Sequence, residues 1–216
     1  AGPRGLMLLG RLISLQRTRY PQRQLTVFLV DPYPIGGRVW KIDQDPNLIM
    51  NTAAAQITLF TDQTVTGVGP FIAGPDLSTW ALTLAADYLD AHPEINNRSI
   101  LMRQAANLGP NSYASRALYG VYQQWFFDLQ KHQAGTNIIT YKQKTVNRLD
   151  KKAAGFTITT TQESWQTDQV VMALGNLKNS LTRDQKALHD YAQTHQLFYL
   201  EPGFPEEGDL SGIEAQ

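Results

Sequence analysis

Gly2, Pro3, Arg4 and Gly5 stand at a spacing that suits the back half of a Gly-rich turn opening onto a helix. Gly2 lets a backbone approach a phosphate, and Gly5 lets the helix pack close against a sheet. Leu25 to Val30 is then almost continuously apolar, as in a parallel strand covered on both faces, and it ends in Asp31. A turn that admits a pyrophosphate, a helix N-terminus facing it and an acid for a ribose hydroxyl together make the layout of a dinucleotide site. Asp31 follows Gly5 by 26 positions, beyond the usual separation of about 20; a long first helix accounts for the difference. The full Gly-x-Gly-x-x-Gly fingerprint needs a glycine one position before Ala1 and a strand before that, so the chain starts inside the motif. Taken singly, an Asp before Pro is also an ordinary turn residue.

A second group of residues follows. Pro32 to Trp40 is a Pro-rich turn running into Gly36, Gly37, Arg38 and Trp40. It reads either as a plain turn or as a loop whose backbone lies against a flat or charged ligand. Asn51, Thr52 and Gln56 stand among small residues, where amides and hydroxyls can bond a neutral heterocycle that small neighbours let come close. Equally, Asn51 and Thr52 cap a helix or close a turn. No acid or base is assigned, so the catalytic residues stay unknown. His92, His132, His189 and His195 have no metal-ligand spacing, and Asp62, Asp76 and Asp90 stand singly. There is no Gly-x-Ser-x-Gly elbow and no P-loop. The chain has no cysteine, which removes thiol chemistry and zinc-thiolate sites, so any redox chemistry belongs to a cofactor.

Four segments carry a resemblance by their order: Ala1 to Gly5, Val30-Asp31-Pro32, Gly37 to Trp40, and Leu48 to Thr52 running through Gln56 to Phe60. In that order they resemble a bacterial family of FAD/NAD(P)-binding proteins, distantly similar to flavin monooxygenases that hydroxylate amines or insert oxygen beside carbonyls. The resemblance implies an α/β fold: a Rossmann-like three-layer ββα FAD/NAD(P)-binding domain. It implies FAD as cofactor, with NAD(P)H as electron donor in the full-length protein. Gly2, Pro3, Arg4, Gly5, Asp31, Gly36, Gly37, Arg38, Trp40, Asn51, Thr52 and Gln56 would line the cofactor. Tyr113, Arg116, Tyr119 and Gly120 match a segment beside the flavin, which makes Arg116 a contact for substrate or cofactor. The strand Gln169 to Leu174 would end at Gly175 beside the pyrophosphate; Leu174 stands where the family has Thr, so that match is partial.

The elements that must hold these residues are legible in outline. Leu6, Leu9, Leu12, Ile13 and Leu15 recur at helical spacing. A helix is expected from Leu77 to about Leu89 and another after Tyr113, with Leu118, Tyr122, Trp125, Phe126 and Leu129 as a core stripe. Short strands are expected at Ile138 to Tyr141, Thr145 to Leu149 and Phe156 to Thr161. Ser164 to Thr167 would be a hairpin partner, and Asp150 to Gly155 one turn of this small antiparallel meander. Val65 to Pro75 reads as a loop, Leu181 to Gln196 as a polar helix, and Glu206 to Leu210 as an acidic end. The whole is expected to be one domain fragment, residues 1-216, shortened at both ends, with a core over 1-60 and 137-180 and a helical insertion over about 76-136.

Composition bounds the partners. The 19 basic residues balance 19 acidic ones, so no nucleic-acid stripe is expected, and no apolar run approaches a membrane span. The cytoplasm is the default location. The substrate is not legible. A missing first strand would leave an open sheet edge that invites self-association. Three readings follow: the FAD-binding domain of a flavin-dependent oxidoreductase, a dinucleotide-fold module that is non-catalytic or has lost its cofactor, and a nicotinamide-only dehydrogenase. Asp31 would repel a 2′-phosphate and favour NAD in the last case.

Overall fold

The structure, a computed structural model, describes residues 1–61, 64–65, 69–177 and 179–204. The chain divides into two compact units, Ala1–Ala173 and Leu174–Gln216. The first unit opens with α1 (Pro3–Arg19), which has Pro3 in its first turn and Arg17 and Arg19 in its last. A proline needs no N–H partner at a helix start, and cations suit a helix end. Leu6, Leu9 and Ile13 are its buried stripe. β1 (Thr26–Asp31) follows and pairs in parallel with a strand far along the chain, β4 (Ile138–Gln143), in a register that places Phe28 beside Thr140 and Asp31 beside Gln143. Asn137 fixes this pairing. Its Oδ1 accepts the Leu25 N–H at 2.9 Å, and its Nδ2 donates to Oε1 of the buried Gln16 at 2.8 Å. A parallel pair with helical connections is the expected α/β architecture.

The long connection from β1 to β4 begins with β2 (Ile49–Ala53), so Asn51 and Thr52 lie in a strand and cap no helix. Next come α2 (Leu77–Thr83) and α3 (Ala85–Ala91), which break the single expected helix at Leu84. Trp80 and Leu89 are nine positions apart, which on one straight helix sets them on opposite faces. The break lets both be fully buried. Asp76 caps α2, accepting the Thr79 N–H at 2.9 Å and the Ser78 hydroxyl at 2.6 Å. The helix α4 (Arg98–Ala106) follows without a clear sequence signal; its buried residues, Leu101 and Ala105, are one helical turn apart.

β3 (Tyr113–Ser115) pairs antiparallel with β2 and runs directly into α5 (Arg116–His132). The aromatic stripe is core, as expected: Leu118, Tyr122 and Phe126 are fully buried. They share one apolar cluster with Leu6 and Leu9 of α1 and with Trp80, Leu89 and Leu101. Gly10 of α1 allows this close approach, because a Cβ there would lie 2.9 Å from Phe126 Cζ.

The meander is present as β5 (Arg148–Lys152), β6 (Gly155–Thr159) and β7 (Ser164–Thr167), paired antiparallel in that order. β5 starts three residues later than expected, and the turn expected over Asp150 to Gly155 narrows to Ala153-Ala154. Gly155 takes φ +118 against the Thr167 carbonyl, which permits the tighter turn. The strand expected over Gln169 to Leu174 does not form, and Val171 and Met172 are 67% and 68% exposed. Among the described residues β1 is paired only with β4, so this segment joins no sheet.

The second unit holds α6 (Arg183–Thr194), started by a reciprocal capping box between Thr182 and Gln185. Its His189 Nδ1 lies 2.7 Å from Glu201 Oε1. Among the described residues no three His, Asp or Glu side chains gather as a metal site, and no helix is long and apolar enough to cross a membrane. Asp62 and the acidic segment Glu206 to Leu210 lie outside the described residues, as does part of the Val65 to Pro75 loop.

Candidate functional site

The sequence places Gly2, Asp31, Gly36 and Gly37 on three separate stretches, and the fold brings them together. Gly2 is the N-cap of α1 and offers no side chain to its first turn, which also lacks an acidic residue. The first-turn N–H groups of a helix have no partner within it and carry partial positive charge, so this end suits an anion. A Cβ on Gly37 would lie 3.4 Å from the Gly2 nitrogen and 3.6 Å from Asp31 Oδ2, and one on Gly2 would lie 3.5 Å from the Gly36 carbonyl oxygen. The Gly36 N–H donates to the Ala1 carbonyl at 3.1 Å. The result is a cradle of bare backbone with a carboxylate at its rim.

Tyr33 fixes the turn that carries the two glycines. Its N–H donates to Asp31 Oδ1 at 2.9 Å, and its carbonyl accepts the Tyr141 hydroxyl from the neighbouring strand. Arg38 and Lys41 stand over its ring, at 5.7 and 5.5 Å from the centroid. Asp31 Oδ2 accepts the Ala1 nitrogen. Each carboxylate oxygen has two lone-pair sites, so both keep capacity for a ribose hydroxyl.

Trp40 joins this cradle to α5. Its carbonyl oxygen fills the space beside Gly36, where φ is +103, and lies 2.6 Å from where a Cβ on Gly120 would be. Its ring meets Tyr119 edge to face, with centroids 5.0 Å apart, and Arg116 holds its guanidinium carbon 5.8 Å from the Trp40 centroid. The Arg116 N–H donates to the Leu48 carbonyl at 2.7 Å, and Ile49 is registered with Ser115. The strand carrying Asn51 and Thr52 therefore runs beside the start of α5. In the sequence Tyr119 and Gly120 stand only as parts of a motif. A glycine inside a bulky helical pattern signals close backbone approach, and Gly120 was that signal.

Arg4 and Gln56 are exposed. A Cβ on Gly5 would meet nothing within 4 Å, while Gly10 is the position that brings α1 close to α5. Gly175, in the second unit, has φ +65 in a segment that is neither strand nor helix. A cavity of about 330 Å³ opens between α1 and α5, lined by Ile13, Ser14, Arg17, Ile72 and Gln130 among others, and it contains none of the predicted residues.

The site and the core beneath it are rich in buried phenols. Burial, and then the nearby Asp31 charge, push the Tyr141 hydroxyl up to about 12. Burial likewise pushes Tyr122 up to about 12, and raises Tyr119 and Tyr88, Tyr88 also through Asp128. An unfolded tyrosine releases its proton near its ordinary value of about 10, while the folded chain still holds it. Stability from these groups is therefore complete below pH 10 and is lost as pH rises towards 12. The urea midpoint should fall over that window, and should fall less steeply in Tyr141→Phe; an identical decline in both would contradict the assignment.

A protein-family model described as FAD-NAD(P)-binding matches residues 1–177. The L-aspartate N-monooxygenase (nitrosuccinate-forming) of Streptomyces davaonensis is 31% identical over 226 aligned positions, covering 99% of this chain and 34% of the relative. The protein of the same name from Streptomyces cremeus is 33% identical, over 99% of this chain and 33% of the relative. Nitrosuccinic acid synthase npaA of Aspergillus oryzae is 34% identical, over 99% and 31%. The chain spans about a third of the length of these curated relatives.

Proposed function

Since this chain belongs to the FAD-NAD(P)-binding family, we propose that it is the FAD-binding domain of a flavin-dependent monooxygenase that oxygenates the amino nitrogen of an amino acid. The observation that carries this reading is the convergence of Gly2, Asp31, Gly36 and Gly37 on the N-terminus of α1. The residues present fit FAD: side chains are absent where the pyrophosphate would lie, and a carboxylate stands where a ribose would be. When bound, FAD supplies two-electron redox chemistry between NAD(P)H and oxygen or another acceptor.

The chain's own residues bind and orient. The first turn of α1 and the Gly36-Gly37 backbone would hold the pyrophosphate, and Asp31 the ribose of the adenosine half. Trp40 and Arg116 would face the reacting end, with Asn51 and Thr52 on the strand beside them. Support for an amino-acid substrate comes from the relatives, whose names give L-aspartate as what they act on. A cytoplasmic location accompanies this reading.

The test is a visible absorption spectrum of the purified protein, before and after anaerobic NADPH. Flavin bands that bleach are the expected result. A protein that stays colourless with added FAD would overturn the reading.

A further inference from the structure

We propose that Arg116 is the residue that selects an anionic substrate, by binding a carboxylate against the face of Trp40; this rests on the flavin monooxygenase reading above. Arg116 is the first residue of the 17-residue α5, whose first turn contains no acidic residue. A helix N-terminus already carries partial positive charge, so a cation there is placed against the local field. Capping does not explain it, because Ser115 caps the helix by accepting the Leu118 N–H at 3.1 Å. Nor does an ion pair, since Arg116 makes none among the described residues, and its Nε is buried without a hydrogen-bond partner. A half-buried cation with no ion pair and only a ring face beside it is costly, and a bound anion relieves that cost.

The geometry points to a carboxylate. A guanidinium held over an aromatic ring by its face keeps its in-plane N–H donors available, and that fork matches a carboxylate with two parallel hydrogen bonds. The support is rigid: Trp40 is pinned by Tyr119 on its ring and by Gly36 and Gly120 on its carbonyl, and the Arg116 backbone is tied to Leu48. The pyrophosphate already has its place at the glycine cradle. Asp31 disfavours a further phosphate on the ribose it would bind. Arg116, against the Trp40 ring, is left for a different anion.

The test uses the intact protein and two readouts. Succinate, a dicarboxylate with no amine to oxygenate, is titrated against intrinsic tryptophan fluorescence, and KM is measured for L-aspartate and for L-asparagine. Arg116→Gln should weaken succinate binding and raise the L-aspartate KM, each by about 10- to 100-fold, the scale of a charged hydrogen-bonded contact. Arg116→Lys should recover part of both, and flavin content should not change. Succinate binding and L-aspartate KM unchanged in Arg116→Gln would overturn the proposal. So would loss of flavin in Arg116→Lys with the fold retained by circular dichroism, because Arg116 would then serve the cofactor's phosphate. A wild-type protein without flavin would sink the monooxygenase reading alone, while succinate binding that depends on Arg116 would still support the carboxylate site.

Discussion

Replacing Gly36 by alanine is expected to lower stability by about 3 kcal/mol, near the upper end for a single substitution. Two separate effects add. The residue has φ +103, a conformation that L side chains rarely adopt, and which costs on the order of 1–3 kcal/mol for a residue with a side chain. The new Cβ would also lie inside 3.0 Å of the Trp40 carbonyl oxygen, which is backbone and cannot rotate away. In a chain of this size the loss corresponds to roughly 6–12 °C in Tm. Gly5→Ala is the control. Gly5 lies in α1 with no atom within 4 Å of its Cβ position, so alanine should raise stability, by about 0.5–1 kcal/mol from helix propensity. Thermal unfolding of the two variants beside the wild type decides the matter; equal shifts would show that Gly36 is not under conformational constraint.

The second large effect is on cofactor affinity. Asp31→Ala should weaken FAD binding by about 10- to 100-fold, because a hydrogen bond to a charged group contributes roughly 1.5–3 kcal/mol. Asp31 also accepts the Tyr33 N–H, so alanine loosens the turn that carries Gly36 and Gly37. Asp31→Asn keeps an acceptor for that N–H while removing the charge, and should lose less affinity than alanine. Fluorescence titration with FAD measures both. Affinity unchanged in Asp31→Ala would place the ribose elsewhere.

These two residues also show what kind of feature sequence reading can reach. Gly36 and Asp31 were legible because their chemistry is local: paired glycines after a Pro-rich turn, and an acid at the end of an apolar strand. α1 and the buried stripe of α5 were legible for a related reason, since their periodicity records which face meets the core, and the strand ending in Asp31 was legible from its continuous apolar run. α4 was missed because only Leu101 and Ala105 of its residues are fully buried, too few to set a clear period. The Gln169 to Leu174 segment misled because apolar content states a need for burial, not whether a neighbouring strand exists to meet it.

The sequence by itself thus pointed to a dinucleotide ligand, through glycines spaced as for a phosphate, a carboxylate spaced as for a ribose, and no thiol to carry redox chemistry in the cofactor's place. Only the tertiary structure decided which residues share a site. Trp40 meets Arg116, Tyr119 and Gly120 across more than seventy positions of chain, and the β2–β3 pairing that brings their segments together leaves no periodic signal in either. That Gly10 sits against Phe126 of α5 is likewise a product of packing. What a glycine permits depends on what approaches it, and that is settled by packing between distant elements rather than by the order of residues along one of them.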